Sequence, residues 1–210
     1  MSIEIRQMSA ADVEAVTNVH LAAFPEFFLS FLGPRFLREL YRAIVADDES
    51  IAFVASDGDR VIGFVAGSGS AGFYRRTARR RWLRFAAASA GALIRRPLIA
   101  PRLLRALYAP PKTSSSGAVL MSLAVDPHVQ RSGAGKLLTR AFVERAGERG
   151  AAAVVLTTDK VGNDTVNAFY RAQGFTVASE YVTPEGRAMN EYILYIDATH
   201  DESAQRLSRP

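Results

Sequence analysis

Between Ala124 and Leu138 the chain reads A-V-D-P-H-V-Q-R-S-G-A-G-K-L-L, a spacing that suits the capture of a polyphosphate. The apolar run Val119, Leu120, Met121, Leu123 and Val125 stops at Asp126-Pro127. Leu137, Leu138, Ala141, Phe142 and Val143 then recur at helical spacing, so the pattern is strand, loop, helix. Gly133 and Gly135 remove side chains where the helix starts, and its first N–H groups, lacking partners inside the helix, can meet an anion closely. The helix dipole contributes only about 0.3–1 kcal/mol, so several phosphate oxygens must be held together. A Walker loop is excluded, because Gln130 stands where its first glycine belongs and Leu137 where its hydroxyl belongs. A dinucleotide fingerprint is excluded too, because Leu138 replaces its third glycine.

The loop Q-R-S-G-A-G resembles the Q/R-x-x-G-x-G/A pyrophosphate loop of the GNAT superfamily of acyl-CoA-dependent N-acyltransferases. A second stretch, N-D-T-V-N-A-F-Y-R-A-Q-G-F from Asn163 to Phe175, resembles that family's N-x-x-A-x-x-[LF]-Y-x-x-x-G-F segment, with Val166 in place of the usual alanine. The resemblance covers roughly Ile3 to Ile196, apart from one insert.

What the resemblance implies can be assigned residue by residue. Gln130, Arg131, Ser132, Gly133, Ala134, Gly135 and Lys136 would receive the pyrophosphate of acetyl-CoA, the acyl donor. Backbone groups of Leu123, Ala124 and Val125 would hold the pantetheine arm between two splayed strands, one N–H polarising the thioester carbonyl. Asn163 would bond the same arm, although it also suits an N-cap, and Asn167, one turn on, faces either the cleft or water. Tyr170 corresponds to the general acid that protonates the departing thiolate, a role a phenol with pKa about 10 can fill at neutral pH. A strand glutamate serves as base in some relatives, but Thr157 and Thr158 occupy that region here. Glu26 is taken as the base, with His20, Asp126, Asp159 and a water chain as alternatives. The aromatic cluster Phe24, Phe27, Phe28, Phe31 and Tyr41 is divided between core and acceptor pocket.

The elements that must position these groups follow from periodicity. Ile3 and Ile5 predict a first strand. Val13, Val16 and Val19 predict a helix interrupted at Phe24-Pro25, with a short helix or turn over 26–32. Phe36, Leu37, Leu40, Tyr41 and Ile44 predict another helix. Ile51–Ala55 and Val61–Ala66 flank Asp57-Gly58-Asp59 as a hairpin. After an insert come the Val119–Val125 strand, the Gly135–Glu148 helix, a strand through Val154–Leu156, the Asn163–Ala172 helix, and strands over Phe175–Val182 and Met189–Ile196. The fold class is α/β (α+β). The resemblance implies a mixed, partly antiparallel GNAT-like sheet of about seven strands flanked by helices. Residues 1–196 are read as a single domain and 197–210 as a polar tail.

Composition narrows the function classes. With 210 residues and 49% hydrophobic content, the chain suits one full core. It has no cysteine, which excludes disulfides, zinc–thiolate sites and a thiol nucleophile; no metal is expected. The N-terminus lacks a signal-peptide layout, and no apolar run reaches the roughly 20 residues of a spanning helix. A cytoplasmic setting is expected. The net charge of +5 conceals a segregation. The insert at 73–112 carries Arg75, Arg76, Arg79, Arg80, Arg81, Arg84, Arg95, Arg96, Arg102, Arg105 and Lys112 with no acidic residue, so the rest is net acidic.

Helical spacing in this insert sets Trp82, Phe85, Leu93, Ile94, Leu98, Leu103, Leu104 and Leu107 beside the arginines. Such a segment suits peripheral contact with anionic lipid at the inner face of the membrane. A helical lid or dimer contact, or a grip on an anionic acceptor such as a nucleotide-linked or lipid-linked amino sugar, are the alternatives. Nucleic acid is disfavoured, since no recognition-helix signature accompanies the charge. The expected activity is transfer of an acetyl group from acetyl-CoA to a primary amine by direct attack in a ternary complex. The alternative is a non-catalytic acyl-CoA-binding or membrane-surface module.

Overall fold

The computed structural model describes residues 2–69, 81, 83–89, 117–129 and 131–196. Gln130, the rest of the 73–112 insert and the 197–210 tail lie outside the described residues. The elements run β1 (Ile3–Gln7), α1 (Val13–Ala23), α2 (Phe28–Phe31), α3 (Pro34–Val45), β2 (Ser50–Asp57) and β3 (Arg60–Ser68). Beyond the insert they continue with β4 (Ala118–Val125), α4 (Ala134–Glu148), β5 (Ala153–Asp159), α5 (Asp164–Ala172), β6 (Thr176–Val182) and β7 (Ala188–Tyr195). Seven strands form one sheet in the order β1-β2-β3-β4-β5-β7-β6. Every neighbouring pair is antiparallel except β4 with β5.

β2 and β3 read as continuous apolar runs because helices cover both of their faces. On one face Val13, Val16 and Val19 of α1 and Leu37, Leu40 and Tyr41 of α3 pack with Phe64 and Ala66. On the other, Leu138, Phe142 and Ala146 of α4 and Tyr170 of α5 pack with Ile51, Ile62 and Val65. Residues 83–89 of the insert are helical. Phe85, read from sequence as lipid-facing, is instead buried against Phe36, with ring centroids 5.3 Å apart, because the α1–α3 core offers it an aromatic partner. Leu83 stays exposed.

Two irregularities shape the middle of the sheet. β4 pairs with β5 only at Ala118–Val154 and Val119–Val155, after which the strands part. On its other side β4 stays paired with β3 out to Val125, with one bulge: Ala66 faces Ser122 and Gly67 faces Leu120, leaving Met121 without an opposite residue. A bulge bends its strand and increases the local twist, which carries the outer half of β4 away from β5. Gly67 is the close approach that permits it. A Cβ there would stand 2.2 Å from the Val119 carbonyl oxygen and 2.6 Å from the Phe142 ring. Gly67→Ala is therefore expected to destabilise by about 3 kcal/mol and lower Tm by about 6–12 °C. Thermal denaturation followed by circular dichroism checks this, and an unchanged Tm would remove the bulge from the account.

Candidate active site

The parting of β4 and β5 leaves a cavity of about 260 Å³ lined by both strands and by helices from either face of the sheet. One wall is Leu120, Met121, Ser122 and Leu123 of β4, and the opposite wall is Leu156, Thr157, Thr158 and Asp159 of β5. His20, Phe24, Phe27, Phe28 and Leu29 close it from the α1–α2 side. Asn163, Val166 and Tyr170 close it from the α5 side, with Arg187 and Met189 at the start of β7.

Backbone direction follows from register. The Asp126 N–H donates to the Ile62 carbonyl at 2.8 Å, so Ile62–Asp126 is a hydrogen-bonded antiparallel pair, and alternation makes Phe64–Ala124 another. The N–H and C=O groups of Ala124 therefore point to β3, whereas those of Leu123 and Val125 point into the gap. Buried backbone groups without partners are costly, so this edge is ready to receive an extended ligand as a strand.

Past the outer end of β4, Arg131 (φ 64) and Gly133 (φ 86) both take left-handed backbone, turning the chain so that α4 begins at Ala134; residues 131–136 lie outside the cavity lining. Among the described residues, a 3.4 Å contact from the Ala134 N–H to Ser132 Oγ engages this end. A Cβ at Gly135 would make ordinary contact, 3.4 Å from the Phe169 ring and 3.8 Å from Val125. Ser132, Ala134, Gly135 and Lys136 surround the same helix start.

Asn163 occupies the N-cap position of α5, but its side chain makes no capping bond; it lines the cavity instead. Asn167 is buried outside the lining. Its Oδ1 accepts from Thr158 Oγ1 at 2.7 Å, Tyr192 Oη at 3.2 Å and Asn190 Nδ2 at 3.3 Å, and its Nδ2 donates to the Asp159 carbonyl at 3.0 Å. This junction ties α5 and the outer half of β5 to β7, holding β5 away from β4. Periodicity could not reveal it, because four polar residues from three elements meet only in space.

Tyr170 is buried among Phe169, Phe175 and Tyr192, and its hydroxyl has no hydrogen-bond partner among the described residues. Burial raises its pKa far above the ordinary value, so it holds its proton throughout the physiological range. His20 is also buried; Nδ1 lies 2.6 Å from Tyr41 Oη, and Nε2 has no partner among the described residues. Its ring stacks on Phe64 and meets Phe24 edge-on. Burial pushes its pKa down to about 4, leaving a neutral imidazole.

The remaining carboxylates separate by position. Glu26 is exposed and does not line the cavity. Asp126 accepts the His128 N–H and pairs with Arg60, which together keep its carboxyl below the usual range, and it too lies outside the lining. Asp159 lines the cavity and receives a fork from Arg187, Nε at 3.0 Å and Nη2 at 2.5 Å. Arg187 sits 6.0 Å from the centroid of the Phe27 ring. Neither Arg187 nor Met189 carried a motif in the sequence. Among the described residues no helix is long and apolar enough to cross a membrane.

Burying neutral His20 has a stability consequence with a definite sign. Its folded pKa lies below the unfolded 6.5, so the unfolded chain binds the proton first. Stability is full above pH 6.5 and falls as pH drops toward 4, by about 3 kcal/mol. In chemical denaturation across that window, His20→Gln should show a shallower loss than the unsubstituted protein; parallel curves would contradict the buried neutral state.

A family model described as the acetyltransferase (GNAT) family matches residues 13–175. No curated protein matches the chain. Among solved structures, the ribosomal-protein-S18-alanine N-acetyltransferase of Escherichia coli aligns at 16% identity with a TM-score of 0.59, covering 95% of this chain and 97% of that one. The PaiA N-acetyltransferase of Thermoplasma acidophilum, in complex with coenzyme A, aligns at 17% and 0.56, covering 91% and 98%. A polyamine N-acetyltransferase of Drosophila melanogaster, which forms N-acetylagmatine, aligns at 15% and 0.60, covering 93% and 100%. These likenesses show a shared fold.

Proposed function

Because the chain belongs to the GNAT acetyltransferase family, we propose that it transfers an acetyl group from acetyl-CoA to a primary amine, by direct attack within the cleft between β4 and β5. In the same reading residues 1–196 form one domain. The observation that carries the proposal is the parted strand pair, with the Leu123 and Val125 backbone groups facing the gap. In this reading the α4 N-terminus with Arg131 to Lys136 takes the pyrophosphate of acetyl-CoA, and the β4 edge with Asn163 takes the pantetheine arm. The neighbours support this assignment, one having been solved with coenzyme A and two acting on different amines.

The chemistry requires a neutral amine, a polarised carbonyl and a proton for the leaving thiolate. A gap-facing β4 N–H stabilises the oxygen that becomes negative in the tetrahedral intermediate. The amine nitrogen bonds to the carbonyl carbon, and its protons become far more acidic once that bond forms, so a weak base suffices. His20 takes this role in preference to Glu26, which stands outside the cavity. With Nδ1 protonated and donating to Tyr41, Nε2 offers a free lone pair. As the oxyanion collapses to the amide carbonyl and the C–S bond breaks, Tyr170 gives its proton to the CoA sulfur; solvent then reprotonates Tyr170 and takes the proton from His20.

Tyr170→Phe should lower turnover about 100-fold while the affinity for CoA, measured by calorimetry, changes little; undiminished turnover would end the acid role. Gly133→Glu brings a carboxylate to the helix N-terminus and forces an L side chain to φ 86. It should abolish CoA binding in the same calorimeter, and normal binding would remove the pyrophosphate assignment.

A further inference from the structure

Resting on the transferase reading, the geometry points to a small acceptor that carries a carboxylate near its amine and an apolar side chain: an amino acid of the leucine or phenylalanine kind. Among the described residues that line the cavity, Arg187 is the one cation, Asp159 the one anion, and His20 is neutral. Arg187 is held from two directions. Asp159 takes Nε and one hydrogen of Nη2, and the Phe27 ring lies near the guanidinium. A guanidinium has five donors in a planar fork, so the Nη1 edge keeps its donors and none of them has a partner among the described residues. That edge matches a second carboxylate bidentately. Asp159 acts here as the positioning residue, orienting the fork without consuming it.

The rest of the lining specifies the remainder of the acceptor. Phe24, Phe28, Leu29 and Met121 form an apolar wall suited to an apolar side chain. With Nδ1 protonated and donating to Tyr41, the buried Nε2 of His20, unpartnered among the described residues, is an acceptor to which an amine N–H can donate. The cavity of about 260 Å³ must take the end of the pantetheine arm as well as the acceptor, which limits the acceptor to a small molecule. A polyamine would bring further positive charge against Arg187, with no second carboxylate among the described lining residues to receive it.

The test pairs L-phenylalanine with phenethylamine and L-leucine with isoamylamine, adding spermidine, each at matched concentrations of neutral amine. Thiol release from acetyl-CoA reports kcat/KM, and calorimetry with acetyl-CoA alone runs in parallel. The amino acid of each pair should be favoured about tenfold or more. Arg187→Gln should bring that ratio close to one, chiefly through KM, and Arg187→Lys should restore part of it. A preference for the decarboxylated amines or spermidine, no acetylation of either amino acid, or a ratio unmoved by Arg187→Gln would overturn the inference while the donor site stands. Failure to bind acetyl-CoA would overturn the transferase reading beneath it.

Discussion

The structure depends on two strands that begin paired and then separate. After Val119 and Val155, β4 and β5 each stay bonded to an outer neighbour and leave their facing edges unmatched. Backbone N–H and C=O groups do not tolerate burial without partners, so such a parting persists only when other contacts enforce it. Three do so here. The bulge at Met121 bends β4, Gly67 leaves room for the bend, and the Asn167 junction fastens β5 to β7. The edge this exposes has the donor and acceptor spacing of a strand, and an amide-bearing arm such as pantetheine is the kind of ligand that can complete it.

Burial gives the cleft its proton chemistry through a single effect with two signs. Removing water disfavours the charged form of any group. For Tyr170 the charged form is the phenolate, so burial preserves a proton donor; for His20 it is the imidazolium, so burial preserves a lone pair. The two enter from opposite faces of the sheet, α5 and α1, with the parted strands between them. In the proposed mechanism an acid and a base thus approach one reaction centre without neutralising each other.

Much of this was legible in the sequence because it rests on local pattern. Strand alternation at Ile3 and Ile5, the apolar spacing of α1 and α3, and the hairpin across Asp57-Gly58-Asp59 all emerge as elements within a residue or two of their expected limits. Gly133 reads as a turn because its left-handed φ demands a glycine. Groups defined by tertiary meetings were less visible. Arg187 follows an ordinary Pro-Glu-Gly turn, and only the insertion of β7 between β5 and β6 brings it to Asp159. Glu26 and His20 looked equivalent as residues of the first helical region; only packing separates an exposed carboxylate from a buried imidazole. The bulge leaves no trace in an apolar run, since hydropathy does not register which residue lacks an opposite.

The central claim, that the outer half of β4 is a strand edge awaiting its ligand, is tested most directly by amide hydrogen exchange read by NMR with and without acetyl-CoA. Protection should rise at Leu123 and Val125 and at the first amides of α4, while Ala124, already bonded to β3, should exchange as before. Unchanged exchange at Leu123 and Val125 under saturating acetyl-CoA, or a rise confined to Ala124, would contradict the account.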